Sequence, residues 1–209
     1  VSDAAEYNPE LRGHLEAQIA NAADELAYSA HDLDDGLRSG LLSVSMLSGL
    51  TLWEILIESV GWEGIELSEL DRNRIIRRLI GLEVEDIIEA TDQTIRQSGV
   101  QSVEALQQLP HNVIGFSETM RRNNRELKDF LYRNLYKNHR VIRMQVKAEQ
   151  IIEDLFNAYK AEPLMLPGHI QPSIEKQGLE RAICDYIAGM TDRFAVEEHQ
   201  KIYNPVRRP

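Results

Sequence analysis

Residues 15–36 of the chain read LEAQIANAADELAYSAHDLDDG, and a helix is the regular structure that gives this stretch a single apolar face. At about 100° per residue, Leu15, Ile19, Ala22, Leu26, Ala30 and Leu33 fall on one stripe that must be buried. Asp24, Tyr28, His31, Asp32 and Asp35 take the opposite side. Between Arg12 and Arg38 there are six acidic residues and no Lys or Arg. Crowded carboxylates without local partners repel, so either this face is solvated or a cation from another segment is held against it. Asp24, Tyr28 and Asp32 stand at i, i+4 and i+8, a row roughly 12 Å long that can follow an extended ligand. His31 is roughly 10 Å along the axis from Asp24, too far to share one ion with it. Any metal at Asp24 therefore takes its other ligands from another segment.

The same period runs through the rest of the chain and predicts an all-α fold. Residues 1–14, with Asn8-Pro9 and Gly13, read as a lead-in loop. Residues 41–50 and 52–60 each predict a short helix, with Thr51 as the cap of the second. Residues 68–97 predict a long amphipathic helix capped by Ser68. Its apolar side is Ile76, Leu79, Ile80, Val84, Ile87, Ile88, Thr91 and Ile95, with Gly81 a point of bending. The run Arg72 to Arg78 reads as a solvated face, and Trp53 and Trp62 as core residues. Ser98-Gly99 ends this helix, Ser102 starts a short one, and residues 109–116 connect to the next. Helix is expected to about Lys137, again from about Arg140 to Lys160 with Val146, Ile151, Ile152, Leu155 and Tyr159 inward, and as a final pair over 173–203. That pair breaks near Gly189, with Thr191 as a cap. Val206-Arg207-Arg208 reads as a tail. Strand-like alternation, repeats and Gly-rich phosphate loops are absent from the sequence.

The second informative region is 117–160. Between Ser117 and Lys147 it carries nine cations against Glu118, Glu126 and Asp129, in a chain of net charge -11. Lys128, Tyr132 and Tyr136 form a second i, i+4, i+8 row. Taken alone, the region reads as a basic surface helix with two amphipathic tyrosines. The overall acidity argues against general nucleic-acid binding by the whole surface. The single Cys, Cys184, excludes an internal disulfide and a thiolate-cluster zinc site, and reads as a small buried residue in a reducing compartment. No apolar run reaches the roughly 18 to 20 residues of a membrane span, so no membrane partner and a cytoplasmic location are expected.

The stretch ADELAYSAHDLDDGLRSG, with LEAQ before it, resembles the segment that supplies the last metal ligand in dGTP triphosphohydrolase-like proteins of the HD superfamily. FLYRNLYKNHRV and ICDYIAGMTDRFAVEEH resemble two further segments of that family. The resemblance implies a multi-helical bundle in which Asp24 ligates a divalent metal such as Mg or Mn. Tyr28 and Asp32 would contact the deoxynucleotide around its sugar, and Lys128, Tyr132 and Tyr136 would be substrate contacts. Asp185 and Tyr186, on a core-spaced helix, read as structural. By the same resemblance the complete enzyme cleaves dGTP or another dNTP to deoxynucleoside and inorganic triphosphate. The ion would polarise the α-phosphorus and help form a hydroxide.

The family's earlier His and His-Asp pair have no counterpart ahead of Asp24, where His14 is the one histidine. The expectation is therefore a C-terminal portion spanning 1–209, inactive alone, with an active-site helix at 15–36, basic helices at 117–160 and a helical pair at 173–203. No catalytic acid or base is assigned within it. Homo-oligomers are common in the family, and single-stranded DNA is a partner on resemblance alone. Two alternatives stand beside this reading: an HD phosphohydrolase of another nucleotide, and a non-catalytic helical assembly module that binds regulatory nucleotide.

Overall fold

Every regular element among the described residues is a helix, as the period of the apolar positions requires. The computed structural model describes residue 8 and residues 10–207. Part of the expected lead-in, Pro9 included, lies outside these residues, as does Arg208 of the expected tail. The chain divides into two units, residues 1–138 and 139–209. No described helix is long and apolar enough to cross a membrane.

In the first unit, helix α1 spans Leu15–Arg38. Its Ala30 and Leu33 enter a core with Leu42, Leu47, Leu52, Trp53, Leu56, Ile75, Leu79 and Leu127, and Leu26 is buried as well. Ile19, expected inside, is 49% exposed. Gln18 occupies the buried position instead. Its Oε1 accepts hydrogen bonds from the backbone amides of Val113 (2.9 Å) and Ile114 (3.3 Å), and its Nε2 donates to the Gly13 carbonyl. One polar side chain thus satisfies the amides of a connector that would otherwise be buried unpaired.

Helix α2 (Val44–Leu47) is a single turn, and α3 spans Thr51–Val60. Thr51 is not the cap expected of it: it is the first helical residue, and its amide donates to Glu126 Oε2 at 3.0 Å. A carboxylate from a distant helix therefore satisfies one of the orphan donors at this helix start. Helix α4 runs unbroken through Gly81 as Glu69–Ser98, with the Ser68 hydroxyl accepting from the Asp71 amide and Gly99 in the left-handed region at φ 67°. Its buried line is Ile75, Leu79, Glu83 and Thr91, whereas Val84 and Ile88 are 42% and 63% exposed. The inward edge, facing α1 and α3, lies one residue earlier than the apolar pattern suggested, and a glutamate sits on it. Arg72 is not on a solvated face either, because its Nε donates to Asp34 of α1 at 2.8 Å.

Ser102 caps α5 (Val103–Gln107), and Ser117 caps α6 (Glu118–Leu131) while its own amide and hydroxyl donate to Asp86. A π-helical turn, Tyr132–Tyr136, follows, closed by the Lys137 amide bonding the Tyr132 carbonyl.

In the second unit α7 (His139–Ala161) buries Ile151, Leu155 and Tyr159 against Leu166 and Ile183. Val146 and Ile152, expected inward, are 58% and 51% exposed. The expected closing pair is three helices, α8 (Gln171–Gln177), α9 (Leu179–Ala188) and α10 (Asp192–Tyr203). Gly178, at φ 88°, separates the first two, a conformation open to glycine and closed to most other residues. Thr191 caps α10 as expected. Cys184 is exposed, not buried, since α9 turns Ala182 and Ile183 inward and the next residue lies about 100° round. Asp185 accepts from Gln177 and Arg181 on its own surface, and Tyr186 meets Tyr159 edge to face at 5.6 Å. Both contacts are structural in kind.

Near the end of α1, a Cβ added to Gly36 would lie 2.4 Å from Leu42 Cδ1, inside the core. Overpacking costs about 1–3 kcal/mol and the gain in helix propensity offsets at most about 1 kcal/mol. Gly36→Ala is expected to lower stability by about 1–2 kcal/mol, read as a lower urea midpoint with an unchanged m-value.

Candidate functional site

A groove of about 570 Å³ runs along α1 where α6 and its π-helical turn pass beside it. All six residues singled out in the sequence line it: Asp24, Tyr28 and Asp32 from one side, Lys128, Tyr132 and Tyr136 from the other. The two i, i+4, i+8 rows, separated by about a hundred residues of chain, therefore face a common space. Helix α1 aligns the first row. The π turn carries the second past the end of regular α-helix, so that Tyr136 comes within hydrogen-bonding reach of Asp32, to which its hydroxyl donates.

The electrostatics answer the question posed by the acidic helix. Two cations come from other segments: Lys128 pairs with Glu25, and Arg72 pairs with Asp34. Asp24 has no hydrogen-bond or ion-pair partner among the described residues and its carboxylate is open to the groove. Burial, followed by the neighbouring Asp35 carboxylate, raises Asp32 above the ordinary range, against a smaller opposing effect of His31. The Tyr132 ring holds the Lys137 ammonium 5.1 Å from its centroid, a cation–π distance. Of the nine cations counted between Ser117 and Lys147, Lys128, the one singled out as a substrate contact, lines the groove. Asp24, Glu25, Asp32 and Asp129 stand against it, so the groove is net negative and suits an anionic ligand only when a cation accompanies it.

Among the described residues, no group of three or more His, Cys, Asp or Glu side chains could hold a metal ion. Asp24 offers one carboxylate, which is fewer ligands than a divalent ion takes from a protein. The described residues alone do not complete a metal site.

Two acids that bear on Lys128 were not singled out in the sequence, one lining the groove and one buried behind it. Glu25 adjoins Asp24 in the same segment and could have been found by asking which face the basic helix would meet. Glu83 of α4 is fully buried, and neither carboxylate oxygen has a hydrogen-bond partner among the described residues; the Oδ1 of Asn124 beside it is likewise unpartnered. Burial pushes Glu83 up to about 7, outweighing the nearby Asn124 amide and the Lys128 ammonium, which pull it down. Asn124 is near enough to oppose the rise without reaching hydrogen-bonding geometry.

Comparison with known proteins gives the family. A family profile described as the phosphohydrolase-associated domain matches residues 114–201, which include Lys128, Tyr132 and Tyr136. The chain is 43% identical over 200 residues to a deoxyguanosinetriphosphate triphosphohydrolase-like protein of Geobacter sulfurreducens, covering 93% of this chain and 51% of that protein. It is 43% identical over 195 residues to a protein of the same name from Deinococcus deserti, covering 92% and 51%. A Nitrosomonas europaea protein, again of that name, is 40% identical over 197 residues, covering 92% and 52%. The chain belongs with the deoxyguanosinetriphosphate triphosphohydrolase-like proteins. It spans about half the length of these family members, and the all-helical architecture is consistent with the family's helical bundle.

Within this family fold, the buried acid gives a pH signature. Glu83 titrates near 7 folded against 4.5 unfolded, so the folded state holds the proton more tightly. Its contribution is intact below about pH 4.5 and is lost as pH rises through about 7, with a full cost of about 3 kcal/mol above that. Glu83→Gln removes the cost. The variant should match the parent in urea unfolding near pH 4.5 and exceed it near pH 8 by about 3 kcal/mol.

Proposed function

We propose that this chain forms the sugar- and phosphate-facing wall of a dNTP triphosphohydrolase, an enzyme that hydrolyses dGTP or another dNTP to deoxynucleoside and inorganic triphosphate. The observation that carries the reading is the convergence of Asp24, Tyr28 and Asp32 with Lys128, Tyr132 and Tyr136 on one groove, in a chain whose relatives bear the triphosphohydrolase-like name.

Each residue has a task that its chemistry fits. Asp32, already accepting from Tyr136, has lone pairs left to accept a sugar hydroxyl proton. Tyr28, 64% exposed on the groove, presents a flat ring against the sugar, where an added 2′-hydroxyl would meet it. Lys128 exchanges the Glu25 carboxylate for a phosphate oxygen, a swap of one charge-assisted contact for another. Asp24 supplies one carboxylate to a divalent ion such as Mg or Mn, whose remaining ligands come from residues beyond those described. The negative balance of the groove supports a substrate that arrives with its cation.

In the complete protein, Asp24→Ala is expected to lower triphosphate release from dGTP by at least about 100-fold, the loss seen even for outer partners of metal ligands. Tyr28→Ala is expected to narrow discrimination between dGTP and GTP. The check is chromatography of products at fixed divalent ion. Full turnover by the Asp24 variant, or release of single phosphates in place of triphosphate, would overturn the assignment.

A further inference from the structure

We propose that Glu83 is a positioning residue for Lys128: with its carboxyl protonated the ammonium stays at the groove, and once it is ionised it draws the ammonium inward, away from an incoming phosphate. The inference rests on the reading of the groove as a triphosphate site.

A buried ionised carboxylate without partners is among the costliest groups a fold can contain. Glu83 is 0% exposed, with both oxygens unpartnered among the described residues. The charged and polar groups facing it come from three helices. Helix α1 brings Glu25, α4 its own Asp86, and α6 brings Asn124 and Lys128. Helix α3 also packs on α4, but its acids Glu54 and Glu58 are exposed. Among the described residues, the cation that acts on this carboxyl is Lys128. Asn124 and Lys128 stand at i and i+4 on α6, so the lysine lies one turn beyond the buried amide that neighbours Glu83.

Two carboxylates thus compete for one ammonium. Glu25 is the outer one, half-exposed and paired with it; Glu83 is the inner one. The outer contact is partly solvated and weak, so it yields readily to a phosphate. An ionised inner carboxylate, in a drier place, holds the ammonium harder, and the flexible four-carbon stem of lysine allows the shift. Protonation of Glu83, which burial sets to occur near neutrality, therefore decides whether the groove has its cation. The neutral acid can also donate to the unpartnered Oδ1 of Asn124, which closes two open positions at once.

The test follows the Lys128 side-chain nitrogen and ε-carbon by NMR in the whole chain between about pH 5.5 and 8.5, with Lys128→Arg for assignment. A step centred near pH 7 is expected in the parent chain and should vanish in Glu83→Gln, which is isosteric with the protonated acid. In parallel, the affinity for inorganic triphosphate should fall about tenfold more steeply with rising pH in the parent than in Glu83→Gln, the effect of losing one charge-assisted contact. A Lys128 signal that stays flat in the parent, or a step that persists unchanged in the glutamine variant, overturns the proposal. If the step is present in the parent and lost in Glu83→Gln while triphosphate fails to bind at any pH, the hold on Lys128 is upheld and only the nucleotide reading falls.

Discussion

The six carboxylates of α1 share their helix with a single arginine, Arg38 at its end, and the first unit is arranged around that deficit. Each of three acids receives a donor from elsewhere in the chain: Glu25 from Lys128, Asp32 from Tyr136 and Asp34 from Arg72. Exposed pairs of this kind contribute little to stability individually. The first two fix the rotation of α6 and its π turn against α1 and the third ties α4 to it, while Ala30, Leu33, Leu127 and Leu131 supply the burial that holds the helices together. Asp24 is left out of this set, and of the α1 acids that line the groove it is the one without a partner among the described residues.

That selective pairing is what makes the groove chemically asymmetric. One end offers an uncommitted carboxylate, the middle an aromatic ring, and the far side a lysine already engaged to a weak partner. A ligand with a cation-bound anionic segment and a hydroxylated ring fits such an order, and kinship with triphosphohydrolase-like proteins gives the same direction. Glu83 adds a second layer beneath the surface pair, so the availability of the lysine depends on a proton held in the core.

Sequence made legible whatever repeats locally. Helix caps at Ser68, Ser102 and Thr191, the stop at Gly99 and the two spaced rows all follow from spacing and side-chain type, and the structure contains each of them. The residues that sequence misread depend on partners far along the chain. Thr51 lost its capping role because Glu126 reaches its amide. Gln18 displaced Ile19 from the interior because the connector at Val113 needed an acceptor. Glu83 was invisible because a glutamate within an amphipathic pattern reads as solvent-facing, and only three helices together bury it. Arg72 looked like part of a charged surface until Asp34 claimed it. In unit two, the division at Gly178 was hidden by an apolar spacing that continues across it.

The π turn at Tyr132–Tyr136 has a consequence for how this wall tolerates insertions and deletions. A wide turn stores one surplus residue in the helical winding. Removing a residue from it would restore ordinary α-helix and leave the preceding core residues Leu127, Phe130 and Leu131 where they are, and because the surplus is what the wide turn absorbs, Tyr136 would keep nearly its present azimuth. The turn is thus a store of slack, taking up a change in residue count without turning the tyrosine that ends it away from Asp32.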